Sequence, residues 1–127
     1  MKEIEHPPRA KISLPAVLDG LSDPTRLAIV SHLAERGESL CRDFLSLGSK
    51  TNLSYHLAKL RESGIVRVRL SGVYRYMNIR WEDLEARFPG LMQSLLATAK
   101  KEGAALPKVT PVPAIKPPAK KRIAARK

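Results

Sequence analysis

Apolar residues recur at helical spacing through the first third of the chain. The first such set predicts a short helix over 13–21, with apolar positions at Leu14, Val17, Leu18 and Leu21. A second helix restarts at Asp23-Pro24, because aspartate caps a first turn and proline fits its first position. Its broad apolar face ends at Gly37. Residues 38–48 then hold enough apolar side chains for a short packed helix or turn.

The segment from Ser49 to Gly64 is the most informative. Leu53, Leu57 and Leu60 lie at i, i+4 and i+7, so they form one buried stripe of a helix. Ser49 is a suitable N-cap, and Gly64 can adopt the left-handed conformation past the helix end. The stripe leaves donors, amides and a phenol facing outward, with Glu62 as the one acid: Lys50, Thr51, Asn52, Ser54, Tyr55, Lys59 and Arg61. Such a face suits the base edges and phosphates of a duplex.

Residues 65–79 alternate between apolar and polar side chains, which predicts a β-hairpin. A two-residue loop at Ser71-Gly72 would place an arginine among the apolar residues, so we expect a three-residue loop, Leu70-Ser71-Gly72, with Gly72 at positive φ. This register pairs Arg69 with Val73. It places the arginines Arg67, Arg69 and Arg75 on one face of the hairpin and the residues Val66, Val68, Tyr74 and Tyr76 on the other.

A last helix is predicted from Trp81 to about Lys101, interrupted at Pro89-Gly90. Its apolar positions are Leu84, Phe88, Leu91, Leu95 and Leu96. Little else in the chain could cover this face, so we expect it at a dimer interface. We predict a flexible N-terminus over 1–12, a folded domain over 13–102 and a disordered tail over 103–127, which is rich in lysine, proline and alanine.

The distribution of charge indicates a polyanionic partner. The formal net charge is +11. Seven basic residues and one acid lie between Ser49 and Arg80, and seven basic residues and no acid lie between Ala104 and Lys127. This segregation favours nucleic acid, and the low aromatic content argues against recognition by base stacking. Paired carboxylates, a catalytic triad and a phosphate-binding loop are not found, so the sequence does not predict an enzyme.

No apolar run is long enough to span a membrane, and the N-terminus lacks the apolar core of a signal peptide. A single cysteine, Cys41, is compatible with a reducing compartment. We therefore expect a cytoplasmic protein.

Helices followed by a basic hairpin and a closing helix make a winged helix-turn-helix, mainly α with a small β-hairpin. Three phrases in this order resemble the ArsR (SmtB-like) family of bacterial repressors: Leu21-Ser-Asp-Pro-Thr-Arg-Leu27, Ser49 to Val66 as a block, and Gly72-Val-Tyr-Arg-Tyr76. The resemblance covers roughly residues 15 to 98 and implies a bacterial protein associated with the nucleoid. It implies a homodimer joined by its first and last helices, through Leu14, Val17, Leu18, Leu84, Phe88, Leu91 and Leu95.

The same resemblance implies that the Ser49–Ser63 helix enters the major groove and that the hairpin forms a wing on the backbone or in the minor groove. The expected DNA contacts are Ser49, Lys50, Thr51, Asn52, Ser54, Tyr55, Lys59, Arg67, Arg69 and Arg75. Asn52 is the expected base-reading residue, because its amide can form two hydrogen bonds with adenine. Lysines and arginines at the edge set affinity rather than sequence preference.

The family's metal sensors carry Cys-x-Cys before the recognition helix, or His and acidic ligands on the closing helix. This chain offers only Cys41 in the first region, and residues 83–101 contain neither His nor Cys. We expect no metal, no cofactor and an effector that the sequence does not identify. Cys41 is interpreted as a packed apolar residue rather than a redox thiol.

The leading hypothesis is therefore a dimeric, sequence-specific regulator of transcription, acting as a repressor on an inverted-repeat operator. The alternative is a nonspecific nucleoid-organising protein that binds DNA through its basic tail.

Overall fold

A computed structural model describes residues 4–110 of the chain. It is a mainly helical winged helix-turn-helix, as predicted. Five α-helices are present in this part of the chain: α1 (Leu14–Gly20), α2 (Pro24–Arg36), α3 (Lys50–Glu62), α4 (Trp81–Arg87) and α5 (Leu91–Lys101). Three strands accompany them: β1 (Ser39–Leu40), β2 (Val66–Ser71) and β3 (Tyr74–Ile79). Short 3-10 helices occupy Arg9–Lys11, Cys41–Leu47 and Gly103–Ala105. None of the described helices is long and apolar enough to cross a membrane.

Side-chain caps start the first three helices where the sequence predicts them. Ser13 Oγ accepts a hydrogen bond from the Ala16 amide at 3.2 Å, and Asp23 Oδ2 accepts one from the Thr25 amide at 2.8 Å. Ser49 Oγ accepts one from the Asn52 amide at 3.0 Å. These bonds satisfy amides that have no partner within the helix.

Gly64 ends the turn after α3 and is required there for two reasons. Its φ of +88° lies in the left-handed region that favours glycine. In addition, a Cβ atom at this position would lie 2.6 Å from Ile12 Cγ1. The turn that leads from α3 into the wing therefore depends on this glycine.

The sheet contains one strand that the sequence pattern did not predict. Its order is β1-β3-β2, with Ser39 opposite Met77 and Leu40 opposite Tyr76. Two residues are too few to show a period-two pattern, so β1 is defined only by its pairing with β3.

The predicted three-residue hairpin loop is wrong. Ser71 pairs with Tyr74, so the loop consists of Gly72 and Val73, although Gly72 has the positive φ expected, +61°. The register is set by the buried residues Met77 and Ile79 of β3, which pair with Val68 and Val66. Tyr74 and Tyr76 therefore lie on the outer face, and Arg75 does not share a face with the other two wing arginines.

The hydrophobic core lies between α2, α3, α4, α5 and the inner face of the sheet. Its largest fully buried side chains include Ile12, Ile29, Leu33, Phe44, Leu60, Ile65, Met77, Leu84 and Met92. The break predicted at Pro89-Gly90 is present, since α4 ends at Arg87 and α5 begins at Leu91. The last helix of the prediction is therefore two helices.

The packed structure extends beyond the predicted boundaries 13 and 102. On the N-terminal side Ile12 is buried, and His6 Nε2 accepts a hydrogen bond from the Val68 amide of β2 at 2.9 Å. On the C-terminal side Val109 packs against the core, and the Thr110 amide donates to Ser46 Oγ at 3.0 Å. Residues 1–3 and 111–127, the remainder of the two segments predicted to be flexible, lie outside the described residues.

Candidate nucleic-acid interface

The N-terminal half of α3 presents polar side chains to solvent. Leu53, His56 and Leu60 are buried on its inner side. The residues predicted to contact DNA lie on the opposite side and are exposed: Ser49, Lys50, Thr51, Asn52, Ser54 and Tyr55. Tyr55 is 56% exposed, so its phenol is available to a partner. No acid occurs between Lys50 and Lys59, and this surface is therefore positive or neutral throughout.

Lys59 differs from the other predicted contacts on α3. It is half-buried, and its Nζ lies 2.7 Å from Asp19 Oδ2 of α1. This hydrogen bond raises the pKa of Lys59 and lowers the pKa of Asp19. A phosphate would have to share or compete for the charge of Lys59 with Asp19.

Acids also lie beside two of the three wing arginines. Arg69 donates from Nε to Glu38 Oε2 at 2.8 Å and from Nη2 to Glu38 Oε1 at 2.9 Å. Arg67 Nη2 is 3.7 Å from Asp83 Oδ2. Arg75 is exposed near the hairpin tip and has no ion pair with any residue from 4 to 110. The wing therefore offers one unpaired arginine and two whose charges are offset by acids.

Arg26 of α2 is a structural residue of the site that the sequence analysis missed. It is 6% exposed and donates from Nε to the Gly20 carbonyl at 2.8 Å and from Nη2 to the Asp19 carbonyl at 3.2 Å. Its Nη1 is 3.0 Å from Nδ1 of the buried His56 in α3. Because a guanidinium can only donate, Nδ1 of His56 is the acceptor. The side chain of Arg26 thus links α1, α2 and α3.

A signal for Arg26 was present in the sequence. It lies at i−3, i−4 and i−7 from Ile29, Val30 and Leu33, and so falls on the buried stripe of α2. A charged residue on such a stripe must find internal partners, because an unpaired buried charge is costly.

Two of the seven residues predicted at the dimer interface lie in the hydrophobic core instead. Val17 and Leu84 are fully buried within the protomer's own core, so predicting them at a subunit interface is wrong. Leu14 and Leu18 of α1 are 41% and 45% exposed, and Trp81 at the start of α4 is 39% exposed. Phe88, Leu91 and Leu95 are partly buried.

Cys41 packs against the core, and burial raises the pKa of its thiol to about 11. The thiolate is the reactive form, so this environment suppresses thiol chemistry near neutral pH. Among residues 4–110 no group of three His, Cys, Asp or Glu side chains is arranged to hold a metal ion.

Comparisons with known proteins agree with this geometry. A helix-turn-helix domain family matches residues 21–69. YceK of Bacillus subtilis (strain 168), an uncharacterized HTH-type transcriptional regulator, is 32% identical over 101 residues, which cover 75% of this chain and 93% of YceK. The crystal structure of the transcriptional repressor BigR from Xylella fastidiosa is 30% identical with a TM-score of 0.53, covering 67% of this chain and 84% of BigR. A crystal structure of an ArsR family transcriptional regulator is 23% identical with a TM-score of 0.52, covering 72% and 91% of the two chains, and shows likeness of fold.

Proposed function

Because the chain belongs to the ArsR-like family of helix-turn-helix transcriptional regulators, we propose that it is a dimeric repressor that binds an inverted-repeat operator. The protein is a DNA-binding regulator and not an enzyme. In the proposed complex, α3 of each protomer enters the major groove of one half-site, and the wing lies on the adjacent backbone.

One observation carries this proposal: the outward face of α3 from Lys50 to Lys59 has no acid and displays Asn52 and Tyr55, while the inner face of the helix is held in the core. The amide of Asn52 can donate a hydrogen bond to adenine N7 and accept one from the adenine N6 amino group, a pairing worth about 1–3 kcal/mol of discrimination. Lys50 and Thr51 would contact nearby phosphates and fix the register of the helix.

A two-fold dimer is supported by exposed apolar side chains on α1 and α4. Leu14 and Leu18 of α1 and Trp81 of α4 are exposed, and Arg87 of α4 donates to the Ile12 carbonyl at 2.6 Å, which brings the end of α4 next to the start of α1. Burying such side chains against a second copy removes apolar area from water. A symmetric dimer would then require half-sites about one helical turn, roughly 10 bp, apart. The repressor role is supported by the likeness to BigR.

Base recognition by Asn52 is tested with the variant Asn52→Ala. The control is Gln93→Ala, which removes an amide side chain from the exposed side of α5. DNA fragments recovered with the wild-type protein define the bound sequence, and gel-shift titrations then compare it with its single-base variants. We expect Asn52→Ala to lose discrimination at one base pair by about tenfold. A uniform loss over all sequences, or a footprint without a dyad, would contradict the proposal. Equal wild-type affinity for random DNA would instead favour nonspecific nucleoid binding.

The dimer is tested by Leu14→Glu/Leu18→Glu in sedimentation equilibrium. The matched control is Leu45→Glu, since Leu45 is 39% exposed but lies on the 3-10 helix before α3. We expect the double variant to be a monomer with weakened operator binding and the control to stay a dimer. An unchanged mass for the double variant would exclude this surface as the interface.

A further inference from the structure

A groove lies between α2, α5 and the segment that follows α5, on a different part of the molecule from the α3 face. Its volume is about 590 Å³, within the range usual for small-molecule sites. Residues 28–36 of α2 form one wall, residues 96–100 of α5 form the second, and residues 103–109 form the third. The third wall is held in place by the hydrogen bond from the Thr110 amide to Ser46 Oγ.

The groove combines an apolar floor with a basic rim. Its apolar lining comes from Ala28, Ala99, Leu96, Leu106, Pro107 and Val109. Three cations from three separate segments surround this floor, Arg36, Lys100 and Lys108, against a single acid, Glu35. Within residues 4–110 none of these three cations forms an ion pair. The charge of the rim is therefore available to an anion.

Two polar groups of α2 also line the groove. Ser31 Oγ is buried and has no hydrogen-bond partner among the described residues, although a buried hydroxyl is normally paired. His32 packs edge-on against Phe44, with ring centroids 5.4 Å apart. Burial, together with the charge of Arg36, lowers the pKa of His32, so the ring is neutral at pH 7 and keeps one N–H to donate.

We propose that this groove is a binding site for a small amphipathic carboxylic acid. The apolar body of the acid would lie between α2 and α5, where it is shielded from water. Its carboxylate would lie among Arg36, Lys100 and Lys108, where charge-assisted hydrogen bonds are available. Ser31 Oγ would gain a partner in the bound acid or in a water that it orders. A cationic or uncharged amphiphile of the same length lacks this complementarity.

The site is connected to the DNA-binding face through α2. Residues 28–36 of α2 line the groove. Arg26, near the N-terminus of the same helix, forms a hydrogen bond with His56 of α3. A ligand that shifts α2 would therefore shift the anchor of the recognition helix. This regulatory consequence rests on the proposed function, but binding of the acid does not, so the two can fail separately.

The test measures decanoate binding to the full chain without DNA, by isothermal titration calorimetry below the concentration at which decanoate forms micelles. The probes for comparison are decanol and decyltrimethylammonium. The charge variant is Arg36→Gln/Lys100→Gln/Lys108→Gln, and its control is Lys101→Gln, an exposed lysine of α5 that does not line the groove. A second variant, Ala97→Trp, fills the rim without changing its charge. Thermal melts establish that each variant is folded.

We expect saturable binding of one decanoate per chain, at least about tenfold weaker for the triple variant and for Ala97→Trp, and unchanged for Lys101→Gln. Decanol and decyltrimethylammonium should bind more weakly than decanoate. The proposal is overturned if the wild-type chain shows no saturable binding, if the triple variant binds as tightly, or if Lys101→Gln loses as much as the triple variant. Equal binding of the cationic amphiphile would also overturn it.

Discussion

Arg69 of the wing and Glu38, the residue before β1, form a two-pronged ion pair in which Nε and Nη2 of the arginine lie 2.8 Å and 2.9 Å from the two carboxylate oxygens. The guanidinium also lies over the Tyr76 ring, 4.2 Å from its centroid. Its hydrogen bond with Glu38 raises the pKa of Arg69. Arg69 is thus held in place within the protein itself, and in the proposed DNA complex Glu38 would compete with phosphate for it.

Replacing Glu38 should therefore strengthen DNA binding. In Glu38→Gln the arginine keeps a neutral partner but its charge is no longer offset. We expect operator affinity to rise about two- to fivefold, because exposed ion pairs are worth up to about 1 kcal/mol. Fluorescence anisotropy at several salt concentrations measures this effect. Glu102→Gln removes the same charge from the exposed end of α5 and is the control. Equal gains for both variants would mean that net charge, and not Arg69, is responsible.

Loss of Arg26 should destabilise the protein as well as its DNA complex. Arg26→Ala removes the hydrogen bonds that the guanidinium donates to the carbonyls of Gly20 and Asp19 and to Nδ1 of His56. We expect the free energy of unfolding to fall by about 3 kcal/mol, measured by urea denaturation. Arg36→Ala, an exposed arginine on the same helix, should change it by less than about 0.5 kcal/mol. Similar losses for the two variants would contradict the anchoring role of Arg26.

Asp83 should contribute a pH-dependent part of the stability. Hydrogen bonds from Arg9 and Arg80 hold the pKa of this carboxyl below its usual value, and Arg80 is itself buried. A lowered pKa in the folded state stabilises the protein above the unfolded-state pKa of about 4, and this stabilisation is lost as pH falls through the folded-state pKa. At pH 7 we expect the free energy of unfolding of Asp83→Asn to be about 1–2 kcal/mol lower than that of the wild type.

Denaturation curves from pH 7 to pH 2 check this expectation. The difference between wild type and Asp83→Asn should begin to shrink below about pH 4, the unfolded-state pKa, and should be lost as pH falls through the lower folded-state pKa of Asp83. The control is Glu102→Gln, which shows how much the free energy of unfolding changes when an exposed acid is lost. A difference that is constant over the whole pH range would show that Asp83 acts by packing rather than by charge.

Removal of residues 111–127 tests the role proposed for the basic tail. This segment contains six lysines and arginines, and truncation after Thr110 keeps the contact between Thr110 and Ser46. Each neutralised phosphate adds roughly 0.9 to the slope of log K against log salt, so the slope should fall by up to about 5. Sequence preference should be kept. Complete loss of binding would favour the nonspecific alternative, and an unchanged slope would mean that the tail does not contact DNA.

The local elements of the site could be predicted because their signals are local. Ser13, Asp23 and Ser49 cap helices through hydrogen bonds to amides two or three residues away. The stripe of Leu53, Leu57 and Leu60 follows from helical geometry alone, and it decides that Asn52 and Tyr55 face outward. Gly64 and Gly72 have the positive φ values that their turns require.

The register of the hairpin could not be predicted from the alternation of apolar and polar residues, because either the tyrosines or Met77 of β3 could have faced the core. Packing against the helices selected Met77 and Ile79, and this choice moved Arg75 away from Arg67 and Arg69. Similarly, Val17 and Leu84 lie on apolar stripes that could face a partner or the protomer's own core. Only the arrangement of helices distinguishes the two.

The sequence by itself determined the helices, the wing and the absence of acids on the outer face of α3 from Lys50 to Lys59, because each depends on residues within one or two turns of each other. The tertiary structure decided which charges of that surface are free. Glu38 and Arg69 are 31 residues apart, and Asp19 and Lys59 are 40 apart, yet each pair lies within 3 Å. Ion pairs of this kind depend on how the chain folds back on itself, and no periodicity or spacing in the sequence encodes them.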